Sequence, residues 1–339
     1  MVDIMLIGEA WGEHEARKRS AFVGPTGYLL TNMLIEAGIN RADCYLTNVF
    51  NLQPIKNKVE HLCGPREQGI PGYPSLVPGK YVSLRYGSEI FRLRREIEDV
   101  KPNIIIALGN TACWAILGKT TIGRLRGIVQ YSTHTTTSQF KVLPTYHPAA
   151  IFRQWGLRPI TILDLMKAKR ESGHRDIQRP QRQIWIEPTL EDIYEFDKRY
   201  IQPSKRLSVD IETAGQIVTC IGFAPNPNVA LVVPFYDTRK PRGNYWVDVC
   251  GYRQAWDAVR TILSRPTQEK TFQNGLYDIT FCWRALGLKT YNATHDTMLL
   301  HHALQPELLK SLQFLGSVYS DEGPWKQMRK RRTTIKRDD

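Results

Sequence analysis

The stretch DIMLIGEA, residues 3–10, decides the fold. Four apolar residues, Ile4 to Ile7, run into Gly8 and Glu9, which reads as a buried first strand ending in a polar loop. Outward from it, GYLLTNMLIEAG (27–38) is a helix closed by Gly38, and DCYLTNVFNLQP (43–54) is a second strand. A Pro/Gly-rich excursion follows, with Pro65, Pro71, Pro74 and Pro78. SEIFRLRREIEDV is a helix, PNIIIALG a third strand, NTACWAIL a helix and FKVLPTYHP a fourth strand. Strands alternating with helices imply a parallel sheet whose ligand groups gather at the C-terminal strand ends. The loops after LIG, TNV, ALG and PTYH are therefore expected to share one edge.

At 339 residues, two domains of ordinary size are expected. No run of about 18 apolar residues exists, so no membrane span is expected. The N-terminus lacks the basic start of a signal peptide, and a cytoplasmic location follows (host cytoplasm if phage-encoded). The formal charge of +13 favours a polyanionic partner, nucleic acid before membrane. Six scattered cysteines with no CxxC read as buried free thiols.

Three pieces fall on the shared edge: GEAWGEHE (8–15) with AFVGPTG (21–27), TNVFNLQP (47–54) and HPAAIFR (147–153). They offer glycines for close approach, an aromatic face at Phe22, an amide at Asn48 and an imidazole at His147. An amide pairs with a base edge, a ring stacks on a base, and an imidazole steadies charge building on a carbonyl oxygen. Taken singly, Phe22 reads as core, TN as turn chemistry and His147 as a cap. In order and spacing the pieces resemble the uracil-DNA glycosylase superfamily, nearest its iron–sulfur family 4, from about residue 3 to residue 155. KPNIIIALGNTA and LPTYHPAA are part of that likeness. The resemblance implies that Glu9 and Glu15 serve water activation or site organisation. It implies that Phe22 stacks on the flipped base, Asn48 reads its edge and His147 faces a uracil carbonyl. Trp11 stands where the family's first motif usually has Pro. The family's cluster cysteines are missing, and residues 55–87 fill that region, so no iron–sulfur cluster is expected. Excision of uracil, reading without cutting, and simple DNA binding stay open.

AKRESGHRDIQRPQRQ (168–183) has the composition of a basic linker, and the domains are expected at 1–168 and 184–339 with 169–183 between. Beyond it, a strand and helix precede three strand-like runs, LSVDIE, IVTCIGFA and VALVVPFY, then helix YRQAWDAVRTILS and strand KTFQN, with helices from 275 and 296. This order suggests a mixed sheet. In LSVDIETAG (207–215), Asp210 and Glu212 sit two apart and share one strand face. FQNGLYDITF (272–281) adds Asn274 at a strand end and Asp278 one helical turn later. Such carboxylates can hold two Mg²⁺ or Mn²⁺ ions roughly 4 Å apart for phosphodiester hydrolysis.

With HDTMLLHHAL (295–304) and the residues after it, the pattern resembles the DEDD 3′–5′ exonuclease superfamily, specifically the proofreading domain of family A DNA polymerases of phage and bacterial type. The resemblance implies an RNase H-like fold and metal ligands Asp210, Glu212 and Asp278, with Asn274 positioning the substrate strand and Asp296 acting as a structural cap. His295, His301 and His302 on one helix read as packing or exposed residues rather than a zinc site. The family's third motif, a Tyr or His and a fourth carboxylate, is expected beyond the end of this chain. Tyr319 and Asp321 have the wrong spacing for it, and Asp338 and Asp339 have no helix to hold them.

The whole reads as an α/β chain: a parallel-sheet glycosylase-like domain followed by an RNase H-like domain. The function expected is that of the N-terminal part of a phage-type family A polymerase, split or truncated, acting on single-stranded or primer-template DNA. A separate polymerase polypeptide is the expected partner if it is split. The alternative is a non-catalytic DNA-binding or processivity module.

Overall fold

The computed structural model describes residues 2–134 and 139–320. The aspartates 321, 338 and 339 read from the sequence lie outside the described residues. The described residues divide into two compact units, one running up to residue 179 and joined by 313–320, the other residues 180–312.

The first unit begins with β1 (Ile4–Ala10), α1 (Glu13–Lys18), α2 (Pro25–Glu36) and β2 (Cys44–Phe50). A small hairpin of β3 (Cys63–Gly64) and β4 (Tyr81–Val82) leads to α3 (Gly87–Val100), β5 (Ile104–Leu108), α4 (Gly109–Leu117) and α5 (Ile122–Leu125). Then come β6 (Gln130–Tyr131), β7 (Lys141–Thr145), α6 (Pro148–Arg153) and α7 (Leu157–Glu171). The sheet order is β2-β1-β5-β7-β6, parallel throughout except for the antiparallel edge strand β6. Chain direction across the sheet reverses between β1 and β5, and the crevice beyond the strand ends at such a point is where ligands bind.

Period-two alternation splits the core in two. Met5, Ile7, Ile105 and Ala107 face a layer containing Trp114 and Leu93, while Ile4, Leu6, Ile104 and Ile106 face Leu30, Met33, Leu34 and Leu165. The result is helices on both faces of one sheet, as the alternating sequence implies. Helix α7 had no counterpart in the sequence reading, and its last residues occupy the start of the expected linker. Lys141 fixes the chain beyond it, its buried ammonium donating to the carbonyls of Glu171 and His174 at 2.7 Å each. The unit boundary falls between residues 179 and 180, inside the stretch read as linker.

The second unit runs β8 (Gln183–Trp185), α8 (Leu190–Phe196), β9 (Arg206–Ala214), β10 (Ile217–Asn226), β11 (Val229–Pro234), α9 (Val249–Leu263), β12 (Glu269–Phe272), α10 (Gly275–Leu286), β13 (Ala293–Asp296) and α11 (Thr297–Leu304). Its sheet order is β13-β12-β9-β10-β11-β8. The β9–β10–β11 meander is antiparallel, while β12 and β13 add in parallel beside β9. That mixed arrangement is the RNase H-like fold. Strand β13 departs from the sequence expectation, in which residues 295–296 open a helix. The final described helix, α12 (Leu312–Tyr319), groups from residue 313 onward with the first unit, whereas the sequence places it in the expected 184–339 domain.

Candidate functional site

At the C-terminal edge of the first sheet lies a cavity of about 280 Å³. Glu9, Trp11, Glu15, Phe22, Asn48 and His147 all line it, so the residues singled out along the first half of the sequence meet at one place. Gly8 makes the meeting possible. A Cβ there would lie 2.3 Å from Asn48 Oδ1 and 2.5 Å from Phe22 Cζ. Phe22 sits at φ +56°, and its carbonyl accepts from Arg41 Nη2 at 2.8 Å. Gly27 is required by the same turn, because a Cβ at 27 would meet the Phe22 carbonyl oxygen at 1.8 Å. Asn48 is buried at the end of β2, where Arg92 Nη2 donates to its carbonyl at 2.8 Å. The Phe22 and His147 rings are 6.1 Å apart at 34°.

The electrostatics give these groups distinct capacities. His147 caps α6: its Nδ1 accepts the Ala149 N–H at 3.1 Å. The proton of the neutral ring therefore sits on Nε2. Burial, with Arg153 adding repulsion and Glu15 opposing, pushes the imidazole down to about 4, so it is neutral at pH 7 and donates from Nε2. Burial raises the Glu9 carboxyl above its usual range, partly offset by the Thr111 hydroxyl donating to Oε2 at 2.5 Å. Glu15 is engaged differently. Its Oε1 accepts from the Val23 and Gly24 N–H groups at 3.1 and 2.8 Å, tying the Phe22 turn to α1. Between the two roles the resemblance allowed, that geometry suits site organisation.

Sequence reading missed Pro54 and Asn57, which line the cavity from the loop after β2. The signal available was the TNVFNLQP run itself, which carries the chain across the cavity edge. Trp11 contributes an indole whose buried Nε1 has no hydrogen-bond partner among the described residues. An iron–sulfur cluster needs four thiolates. The first unit has Cys44, Cys63 and Cys113, three in all. The region 55–87 is packed instead by apolar contacts: Tyr73 lies 4.6 Å from Trp114, whose indole donates to the Pro74 carbonyl at 2.8 Å. These residues do not fit a cluster.

In the second unit, Asp210 and Glu212 are exposed on the same face of β9, alternating with the buried Val209 and Ile211. Pairing of β12 with β9 stops at Ser208, leaving the Ile211 N–H open. Asp278 takes it, accepting at 3.1 Å. Burial pushes the Asp278 carboxyl up to about 6; the Ile211 bond opposes, and Asp210 and Asp296 add repulsion. The donors are all oxygens, the kind that Mg²⁺ and Mn²⁺ prefer. Among the described residues, no group of three or more His, Cys, Asp or Glu that could hold a metal ion is found.

Asn274 takes the left-handed conformation at φ +61°, with its N–H on Asp296 Oδ1 at 3.1 Å. Asp296 caps α11 through Met298 and also accepts from Gly275, so it is structural, as expected. His295 lies 3.2 Å from Glu269. Asn274 also lines a groove of about 1080 Å³ with Gln216, Leu276, Tyr277, Phe281 and Arg284. Among the described residues no helix is long and apolar enough to cross a membrane.

Comparison with known proteins follows this division. Residues 1–168 match the model of the uracil DNA glycosylase superfamily. The type-4 uracil-DNA glycosylase of Archaeoglobus fulgidus is 34% identical over 161 residues, 46% of this chain and 70% of that enzyme. The Thermotoga maritima type-4 enzyme is 33% identical over 170 residues, 49% of this chain and 76% of its own length. A DNA polymerase of Bacillus phage SP01 is 23% identical over 331 residues, 88% of this chain but 32% of the polymerase. Among solved structures, Brucella melitensis NrnC with bound Mg²⁺ is 16% identical, with a TM-score of 0.29 over 43% of this chain and 63% of that one. Trypanosoma brucei RNase D complexed with RNA U12 is 17% identical, with a TM-score of 0.28 over 38% and 41%.

Proposed function

Through residues 1–168 the chain belongs to the uracil DNA glycosylase superfamily, and from that premise we propose that its first unit takes an extruded uracil base from DNA and hydrolyses its glycosidic bond. The supporting observation is the cavity over Gly8, where Phe22, Asn48 and a neutral His147 face one space. The Phe22 ring supplies a stacking face, and the Asn48 amide supplies both a donor and an acceptor for the base edge. The His147 Nε2–H donates to a carbonyl oxygen that gains charge as the bond to the sugar breaks. Glu9, buried beside Thr111, is the carboxylate available to orient water, and Glu15 holds the Phe22 turn. Sequence-independent affinity for the strand comes from the +13 charge. The test is a uracil-containing strand followed by alkali. Cleavage that is lost in Asn48→Ala supports excision. Uracil-selective binding without cleavage makes the unit a reader, and neither result leaves only a DNA-binding module.

A second reading concerns the second unit. There the observation is Asp278 bonded to β9 between Asp210 and Glu212, within an RNase H-like sheet. We propose 3′–5′ exonuclease activity dependent on Mg²⁺ or Mn²⁺, with Asp210, Glu212 and Asp278 as the metal-facing carboxylates. Asn274 and the adjoining groove would hold the strand end. The phage polymerase matches along nearly the whole chain, which supports a place in DNA replication or repair beside a family A polymerase. In that relative the matching stretch is a third of one longer polypeptide, so the match requires no separate polymerase chain. Incubation of a labelled single strand with Mn²⁺ tests the reading. No shortening, or shortening that persists in Asp210→Ala, refutes it for this chain.

A further inference from the structure

The first unit contains a buried charged network that neither reading uses. Arg126, 4% exposed, forks onto Asp164, 1% exposed: Nε donates to Oδ2 at 3.0 Å and Nη2 to Oδ1. Its remaining arm, Nη1, donates to Ser317 Oγ on α12 at 2.7 Å, and the guanidinium lies 5.3 Å over the Phe314 ring. Lys167, also buried, donates to the carbonyls of Gly127, Ser317 and Ser320 at 3.0, 2.6 and 2.7 Å. A cation on the last carbonyls of a helix suits its dipole. Gly127 adopts φ +70°, and a Cβ there would meet Asp164 Oδ1 at 2.8 Å and the Ser317 carbonyl at 3.0 Å. Helix α12 is therefore seated on a surface shaped to receive it.

The network also reaches toward the site. Asp164 Oδ2 accepts from Thr145 Oγ1 at 2.7 Å, and the Gly127 N–H donates to the Pro144 carbonyl at 2.9 Å. Thr145 ends β7, and two residues later comes His147. A rigid tie at residues 144–145 limits where the imidazole can stand.

We propose that α12, by which the chain returns to the first unit after the second, positions the His147 loop through Ser317, Lys167, Arg126 and Asp164. Uracil recognition then depends on a segment 140 or more residues beyond the matched glycosylase region (residues 312–320 against 1–168). Ser317 and Lys167 are positioning residues: Ser317 acts through Arg126, Asp164 and Thr145, Lys167 through Gly127 and Pro144, and neither touches a base. The claim about uracil rests on the reading of the first cavity given above; the claim about the loop does not.

The test uses the full chain with Ser317→Ala, Lys167→Met, the pair together, and Lys167→Arg as the conservative variant. Two quantities are read at a temperature where all are folded. One is hydrogen exchange over residues 143–150 and 312–320; the other is the ratio of affinities for uracil- and thymine-containing strands. The double variant is expected to exchange faster in both segments and to lose roughly tenfold in that ratio. Lys167→Arg should keep most of it, and binding to a strand without uracil should not change. If the double variant does not fold, Ser317→Ala alone carries the same comparison. Loss of protection at 312–320 with 143–150 and the ratio unchanged overturns the proposal, because α12 is then packing alone. Should the parent chain show no uracil preference, the reading of the cavity falls. Exchange at 143–150 then decides the positioning claim, faster supporting it and unchanged refuting it.

Discussion

Replacing Gly8 with alanine should close the first cavity while leaving the unit folded. The added methyl would stand 2.3 Å from Asn48 Oδ1 and 2.5 Å from Phe22 Cζ, about 1 Å or more inside an ordinary ~3.5 Å contact. Neither neighbour yields freely. Arg41 pins the Phe22 carbonyl, and Arg92 pins the carbonyls of Asn48 and Val49. The strain falls on the two side chains, which must swing away from the positions that define the cavity. Overpacking of this kind costs about 1–3 kcal/mol. In a unit of this size, each kcal/mol lowers Tm by about 2–4 °C. If the same free energy must be met on binding, affinity for a uracil strand falls by about 5- to 150-fold. Gly123→Ala is the control, since a Cβ at that helical position meets nothing within 4 Å. Melting curves and anisotropy titrations on uracil and thymine strands measure both effects. A Gly8→Ala chain with the parent's uracil-to-thymine ratio would refute the assignment of this cavity as the base site.

The His147 imidazole, held near 4 against an ordinary 6.5, makes the first unit acid-sensitive. Between those values the unfolded chain binds a proton that the native state does not, so stability rises with pH and is lost as pH falls from about 6.5 toward 4. Urea midpoints at several pH values should show this slope in the parent, and His147→Asn, which keeps a capping acceptor without titrating, should flatten it. Asp296→Ala removes the acceptor for the Asn274, Gly275 and Met298 N–H groups and should destabilise the second unit by about 2 kcal/mol or more in urea unfolding. Trp11→Phe deletes a buried, unpartnered N–H, so its Tm should match or exceed that of the parent.

Much of this was legible because the governing signals are local. Four apolar runs spaced by helices specified the first sheet, and alternation in LSVDIETAG placed Asp210 and Glu212 on one exposed face. The cavity residues were legible for a related reason, since Glu9, Trp11, Asn48 and His147 lie at or just beyond the C-terminal parts of strands of the shared edge. What escaped depends on distant pairing. β13 is four residues long and exists because β12 offers it an edge, with Lys270 opposite Ala293 and Phe272 opposite Asp296. Helix α12 carries no mark of its destination: its attachment is set by Arg126 and Lys167, 191 and 150 residues earlier in sequence. The carboxylates of the second unit were expected to converge. One oxygen of Asp278 is committed to the strand backbone through the Ile211 N–H, a pairing that no local sequence signal announces.

The two units ask different things of charge. In the first cavity the groups facing the proposed base site are a ring, an amide and an imidazole kept neutral by burial, so selection there would rest on shape and hydrogen bonding at short range. Its carboxylates are held close by Thr111 or by backbone N–H groups, which limits their reach toward a phosphate strand. Affinity for the strand must come from the positive charge elsewhere, which is sequence-blind and screened by salt. On the second sheet the arrangement is reversed. Asp210 and Glu212 present like charges on one face, and Asp278 is pushed up to about 6 beside them. A phosphodiester approaching that face meets repulsion unless a cation intervenes. On the proposed reading, discrimination between bases falls to the first unit and dependence on divalent ions to the second.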